Sequence, residues 1–478
     1  MSASRAVAPS NELVGTMNDA DSLLWRIGTD PVLRPSIVAV VVLDRAPHWD
    51  ELQARMQELV EIQPRLRSRV DSLPLGLWRP RWVQDSAFDL ADHVRRMRAP
   101  EKASLRAVLD LAQVMVAGAF DPDLPLWEAT LVEDLEDGTA ALVIKFHHAL
   151  TDGLGGLTLF GHLLSESRDP PARRGPTGAG TGAAVGRPPE PSWSERLVTS
   201  LPRMGSSLTG EGGLPGKLAG AAQRASSLVA EAPALATSAA RLLAPAGRPL
   251  SPVMSQRGGR RHLEVIDLPA GVLGAAAKVA GGTLNDLFVA ASVAGVRHYH
   301  ELHDAPIGRI RILMPVSVRR AGDADASNRF VPVRFVLPVS ADPHECVQAV
   351  RNLTQAMKHT PALAVSDVLA AGLDLLPPAL ARSVWGSMLR GDDFCATNMP
   401  GPPSESYLAG ARLERVYAFA PPSGAAFNVS LLTMAAGDCI GLTIDKRAVP
   451  DGPVLASCIR EGLEEMMAIA PRTRETAD

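Results

Sequence analysis

The chain has little cysteine, no excess of charge of either sign and no long unbroken apolar run. Its four cysteines, Cys346, Cys395, Cys439 and Cys458, all lie in the C-terminal half. They lack the paired spacing of a metal site or a disulfide framework, which points to reduced core thiols in a cytoplasmic protein. The 48 Lys and Arg against 52 Asp and Glu leave a formal net charge of -4, so no global field recruits nucleic acid. No stretch of about 18 apolar residues escapes interruption by charge or proline, which argues against a membrane-spanning helix. Residues 1–11 carry no apolar core after a basic region, unlike a secretory signal. At 478 residues the chain is long enough for two domains, each burying its own core.

A single composition shift divides the chain. Residues 170–192 are dominated by Pro, Gly, Ala, Thr and Arg and read as a linker, because such a segment buries too little apolar surface to fold. Residues 193–244 are rich in Ala, Leu and Ser, broken at Gly210 to Gly213 and at Pro233, with Leu228, Leu235 and Leu242 repeating every seven residues. That stripe either packs on the protein's own core or lies on an anionic lipid surface. The second reading draws on Arg196, Arg203, Lys217, Arg224, Arg241 and Arg248, which outnumber Glu195, Glu211 and Glu231. The segment could equally be a crossover between domains. The expected organisation is therefore a first domain over residues 12–169, a linker and crossover over 170–258, and a second domain over 259–478.

Both flanking halves read as α/β. In the first, Ile37 to Leu43 is a buried strand and Trp49 to Ile62 an amphipathic helix. The second carries strands near 309–316, 330–337, 413–419, 427–434 and 439–444. Asp342-Pro343-x-Glu345 predicts a helix start, with Asp as N-cap, Pro in the first turn and Glu completing a capping box, and a helix running to about Lys358.

The most informative segment runs from Ala141 to Gly153. An apolar strand ends in His147-His148, followed at fixed spacing by Asp152-Gly153, and Gly155 and Gly156 then open a turn into a helix. Adjacent residues of an extended strand face opposite sides, so one histidine is the worker. Imidazole titrates near neutrality and suits the role of general base toward a hydroxyl or amine attacking a thioester. Asp152 either orients that ring or pairs with an arginine to hold the loop, and its Asp-Gly setting favours the loop role. A metal site would need further ligands and a second shell, and the remaining histidines form no compact ligand set.

Three further motifs accompany this one: Pro125-Leu126-Trp127-Glu128, Leu284-Asn285-Asp286, and Thr397-Asn398-Met399-Pro400-Gly401-Pro402. With His147-His148-x3-Asp152-Gly153, and with Gln63 to Arg69 leading to Pro80 to Val83, they resemble in order and spacing the bacterial wax ester synthase/acyl-CoA:diacylglycerol acyltransferase family. The resemblance runs from about residue 16 to about 468. The histidine motif alone is shared with peptide condensation domains and chloramphenicol acetyltransferase-like enzymes. The Asp-Phe-Gly-Trp-Gly motif of plant-type relatives is absent. Met399 stands where the family usually has valine, and Ser327 precedes Asn328 where glycine is common.

The resemblance implies an α/β, two-domain CoA-dependent acyltransferase (chloramphenicol acetyltransferase-like) fold, with mixed sheets and the active site between the domains. It implies transfer of a long-chain acyl group from acyl-CoA to diacylglycerol, and also to long-chain alcohols. His148 would be the base, with Asp152 and His147 beside it. Gly153, Trp127, Asn285, Asp286 and Asn398 would line the substrate site, and Arg319 and Pro125 would support it. Each has a plainer alternative. Thr283 to Asp286 has capping-box spacing and would simply start a helix. Trp127 would pack the wall, and Asn398 would satisfy its own Pro/Gly turn. Arg320 competes with Arg319 as partner of Asp152. No cofactor or metal is expected, acyl-CoA being the substrate, and because coenzyme A thiolate leaves readily no enzyme nucleophile is required. Acyl-CoA and a lipid alcohol are the expected partners, met in the cytoplasm or at a membrane or lipid-inclusion surface. The alternatives are a condensation-type enzyme fed by a carrier protein, for which no neighbouring carrier module precedes Asp478, and a non-catalytic lipid-surface protein of the same fold.

Overall fold

The computed structural model describes residues 13–72, 79–100, 103–169, 247–317, 330–358 and 378–469. The Leu228, Leu235, Leu242 stripe and both candidate arginines, Arg319 and Arg320, lie outside them. In chain order the first half carries β1 (Leu13–Thr16), α1 (Asp19–Ile27), β2 (Ser36–Leu43), α2 (Trp49–Ile62), β3 (Ser68–Asp71), β4 (Arg81–Gln84), α3 (Leu90–His93), β5 (Val94–Arg98), α4 (Leu105–Ala117), β6 (Trp127–Glu133), β7 (Ala140–His147), α5 (Gly153–Leu163) and β8 (Leu164–Ser165). The second carries β9 (Arg261–Leu268), α6 (Val272–Val279), α7 (Leu284–Leu302), β10 (Arg309–Ser317), β11 (Phe330–Pro338), α8 (Pro343–Lys358), α9 (Pro378–Leu389), β12 (Phe394–Pro400), β13 (Tyr407–Leu408), β14 (Ala411–Phe419), β15 (Phe427–Met434), β16 (Gly437–Asp445) and α10 (Gly452–Met467).

The apolar run of β2 makes it the middle strand of a seven-stranded sheet ordered β5-β6-β7-β2-β14-β13-β8. It pairs antiparallel with β7, Ile37 opposite Phe146, and on its other edge with β14, Val38 opposite Phe419. This corrects one expectation. The strand at 413–419 belongs to the first half's sheet, although it follows most of the second half in sequence. Its Val416 and Phe419 are buried in the first core, and it supplies the backbone partners that the free edge of β2 would otherwise lack.

Apart from β14 and the short β13 beside it, the second-half strands form a six-stranded mixed sheet, β11-β10-β12-β15-β16-β9, while β1, β4 and β3 make a small separate one. Between the two large sheets lies α4, which contacts β2 and β7 on one side and β9 on the other. Arg106 donates to the Leu263 carbonyl at 2.9 Å, and the Leu263 N–H donates to Gln113 at 2.9 Å, so polar bonds cross the seam.

The second core wraps α7, whose residues from Asp286 to Val296 are all buried. It packs on α10 so closely that a Cβ at Gly462 would collide with the backbone of Ala291 and Gly295, which is why glycine stands there. The capping box at α7 is present in full: the Thr283 side chain takes the Asp286 N–H and the Asp286 carboxylate takes the Thr283 N–H. At α8 the expected box runs through a third residue. Asp342 caps the His344 N–H at 2.8 Å, but Glu345 accepts from the Ser340 hydroxyl at 2.7 Å, and that hydroxyl accepts the Asp342 N–H. All four cysteines are free and buried, as expected of core thiols. Among the described residues no single helix is long and apolar enough to cross a membrane; α6 and α7 pass such a test only jointly, bent by 93°.

Candidate active site

Strand parity decides what each residue of β7 faces. Ile144 and Phe146 point, with Ile37, Ala39 and Val41 of β2, into a cavity of about 110 Å³ roofed by α2 and α5. Met56 and Leu59 come from α2, Leu159, Phe160 and Leu163 from α5, and Val416 and Ala418 from the inserted β14. The lining is almost wholly apolar, and at one end it reaches Leu150, Thr151 and Gly153 of the histidine motif. Lys145 and His147 point to the opposite face, toward Phe120 and the N-terminal helix.

His147 is built in. It is 5% exposed, its ring meets Trp25 and Phe120 edge-on at 5.7 and 5.9 Å, and its Nδ1 accepts the Ala149 N–H at 3.1 Å. Burial, chiefly, pushes its pKa down from 6.5 to about 3. A ring with one nitrogen occupied and so little affinity for protons is no general base at neutral pH. In this structure His147 packs the turn, its ring enclosed by Trp25 and Phe120. His148 follows the last strand residue, half-buried, with its N–H bonded to the Pro35 carbonyl at 2.8 Å.

A pH prediction follows from His147. Below pH 6.5 the unfolded chain takes up a proton that the folded ring refuses until about pH 3, so acidification through that window costs stability, about 1.4 kcal/mol per pH unit at full effect. Buried Asp392, pushed up to about 7 by desolvation, works in the opposite sense. The quantity to measure is therefore the unfolding free energy of His147→Asn minus that of the parent. It moves in the variant's favour between pH 7 and pH 5; a constant difference would contradict a neutral, buried His147.

Asp152 is the N-cap of α5. Its Oδ1 accepts the Gly155 N–H at 2.8 Å and its carbonyl takes the Gly156 N–H at 2.8 Å. This backbone cap is a role beside the expected arginine pairing, whose candidates Arg319 and Arg320 lie outside the described residues. Asp152→Ala should cost about 1 kcal/mol of stability in chemical denaturation, whereas Asp152→Asn keeps a capping oxygen and should melt close to the parent. Loss of nearly all turnover in a normally stable Asp152→Asn would instead assign the carboxylate to His148.

The Pro125-Leu126-Trp127-Glu128 motif is tied to the histidines by backbone. The Leu126 carbonyl accepts the His147 N–H at 3.0 Å, and a turn from the Pro125 carbonyl to the Trp127 N–H starts β6. Trp127 is buried, stacks on His93 at 4.7 Å, donates Nε1–H to the Leu66 carbonyl at 2.6 Å and lines the cavity. It is a wall residue with its polar atom satisfied. Glu128 and Lys145 form a pair that sequence reasoning missed. Lys145, 2% exposed, lies 2.9 Å from Glu128 and 4.1 Å from the centre of the Phe120 ring. The available signal was a lysine inside an otherwise apolar strand.

The structure brings Trp127, Gly153 and Met399 together around the cavity; His148 and Asp152 sit in the turn beside it without lining it, and Asn285, Asp286 and Asn398 do not line it either. Asp286 is 2% exposed, with oxygens taken by Thr283 and by the Thr354 hydroxyl at 2.9 Å, so its evident work is to cap α7 and hold α8. Residues 397–400 are not a turn. They continue β12 in parallel register with β15 as far as Pro400 opposite Thr433, and the chain turns only at Gly401. A strand-end proline is tolerated there, and alternation exposes Asn398 while burying Met399.

Two large sheets, the first completed by strands β13 and β14 from the second half, a His-His-x3-Asp-Gly motif at a strand end and an apolar cavity beside it make up an acyltransferase-type fold. Solved structures share it. The wax ester synthase/diacylglycerol acyltransferase from Marinobacter aquaeolei VT8 superposes with a TM-score of 0.59 over 94% of this chain and 98% of that one at 20% identity. The first condensation domain of the CDA synthetase gives a TM-score of 0.60 over 97% and 98% at 17% identity. The model of the wax ester synthase/diacylglycerol acyltransferase catalytic domain matches residues 17–288, and that of the WS/DGAT C-terminal domain matches residues 326–467. A Mycobacterium tuberculosis protein named as a diacylglycerol O-acyltransferase is 33% identical over 472 residues, covering 96% of this chain and 93% of the relative. Another from the same organism is 28% identical over 436 residues, covering 88% and 89%. The chain belongs to the wax ester synthase/diacylglycerol acyltransferase family, and it is an acyltransferase.

Proposed function

We propose that this acyltransferase moves a long-chain acyl group from acyl-CoA to the free hydroxyl of diacylglycerol, and to long-chain alcohols as secondary acceptors. The observation that carries this reading is the apolar cavity ending at Thr151 and Gly153, where a polymethylene chain can leave water beside the histidine motif. His148 takes the proton of the acceptor hydroxyl. The oxygen attacks the thioester carbonyl, the tetrahedral intermediate collapses, and coenzyme A leaves as a thiolate that recovers the proton from the imidazolium. Position supports His148 in this role, since it opens the turn that leads to Leu150, Thr151 and Gly153 at the cavity, whereas His147 packs on Trp25 and Phe120. No cofactor is needed, because the thioester supplies both the activated carbonyl and the leaving group. Such water-insoluble acceptors put the enzyme at a lipid surface, a role for which residues 193–244 are the sequence's candidate.

Donor and acceptor are tested together by offering palmitoyl-CoA or a carrier-bound palmitoyl thioester, each with dipalmitoylglycerol or hexadecanol. The expected result is ester from palmitoyl-CoA, faster with the diacylglycerol. Turnover confined to the carrier-bound donor would replace the reading with condensation-type chemistry.

A further inference from the structure

Resting on that acyl-transfer reading, we propose that Met399 is a specificity-determining residue: its thioether narrows the motif end of the acyl cavity and selects straight chains over chains branched next to the thioester. Two glycines of α5 one turn apart, Gly153 and Gly156, present bare backbone to this end of the cavity. Each vacated space is filled from another strand. A Cβ at Gly153 would stand 2.5 Å from the Met399 Sδ, and one at Gly156 would stand 2.9 Å from the Phe146 Cζ. Met399 is 7% exposed and is the residue of β12 that reaches the cavity lining.

The part of the lining nearest the histidine turn includes Thr151, Gly153, Gly156, Phe146 and Met399, and on this proposal it is the neck of the cavity. An acyl chain held in the cavity passes it with the carbons nearest the reacting carbonyl, because Gly153 lies one residue beyond the N-cap Asp152. An unbranched thioether is long enough to reach the glycine and flexible enough to fit along a polymethylene chain. The shorter valine would withdraw Sδ and Cε and leave room for one added methyl.

The experiment compares kcat/KM for palmitoyl-CoA and 2-methylpalmitoyl-CoA in the parent, Met399→Val and, as a volume-keeping second variant, Met399→Leu. One methyl group at a fitted apolar wall changes discrimination about tenfold or more, so Met399→Val should raise the branched-to-straight ratio about tenfold. Gly153→Ala should lower palmitoyl turnover by pushing the thioether into the neck, and Gly153→Ala with Met399→Val should recover it. A parent-like ratio in folded Met399 variants, or no recovery in the double variant, overturns the proposal. Should the parent transfer no acyl group from coenzyme A, the donor assignment falls by itself. The neck is then judged by calorimetric binding of palmitate against 2-methylpalmitate, where a ratio unmoved by Met399→Val overturns it and a raised ratio upholds it.

Discussion

His148→Ala should lower turnover by about two to four orders of magnitude while the protein stays folded, the range that loss of a positioned general base produces. The expectation comes from elimination as much as from the motif. Of the two adjacent imidazoles, His147 is sealed against Trp25 and Phe120, its Nδ1 holds the Ala149 N–H, and burial keeps it neutral. His148 is half-buried just past the strand's end and opens the turn that leads to Leu150, Thr151 and Gly153 at the cavity. The two substitutions should separate cleanly. His148→Ala acts on kcat with an unchanged melting temperature, whereas His147→Ala acts mainly on stability, through a lost ring and an unsatisfied amide. Near-parental thiol release from a well-folded His148→Ala would remove it from the mechanism.

Glu128→Ala is expected to destabilise the fold although it removes no core side chain. It strands the ammonium of Lys145, 2% exposed, whose carboxylate partner lies 2.9 Å away. Breaking a fully buried pair from one side costs about 3 kcal/mol or more, because the remaining charge keeps its desolvation penalty; Glu128 is 28% exposed and burial lowers the Lys145 pKa, so the cost here falls below that. The Phe120 face 4.1 Å from the ammonium recovers only part of that. Lys145→Met should therefore be tolerated far better than Glu128→Ala, and Glu128→Ala with Lys145→Met should restore most of the loss in urea denaturation. Equal stability of parent and Glu128→Ala would show that the pair does not hold β6 to β7.

Much of the fold could be read from short-range pattern. The expected strand over 37–43 and helix over 49–62 match Ser36–Leu43 and Trp49–Ile62, because a pure apolar run and a 3.6-residue stripe are local signals. The capping box at Thr283 and Asp286 was legible for the same reason. What failed was decided across the chain. Nothing within residues 411–419 says that their partner is β2, some 370 residues earlier in the chain. Asn398 reads as a turn residue beside Pro and Gly, yet the ladder with β15 extends the strand to Pro400. The site divides likewise. The histidine motif and the strand-to-helix turn are visible in sequence, while the Glu128–Lys145 pair needs β6 laid beside β7 and the approach of Met399 to Gly153 needs β12 brought against α5.

The central claim is that a thioester-bound acyl chain passes directly to a lipid hydroxyl, with His148 as base and no acyl-enzyme between. Its most direct test follows thiol release and product together in a reaction of palmitoyl-CoA, dipalmitoylglycerol and purified protein. Equimolar thiol and tripalmitoylglycerol, with negligible thiol release when the acceptor is withheld, is the predicted result. A burst of thiol without acceptor, or thiol release yielding only free palmitate, would contradict it.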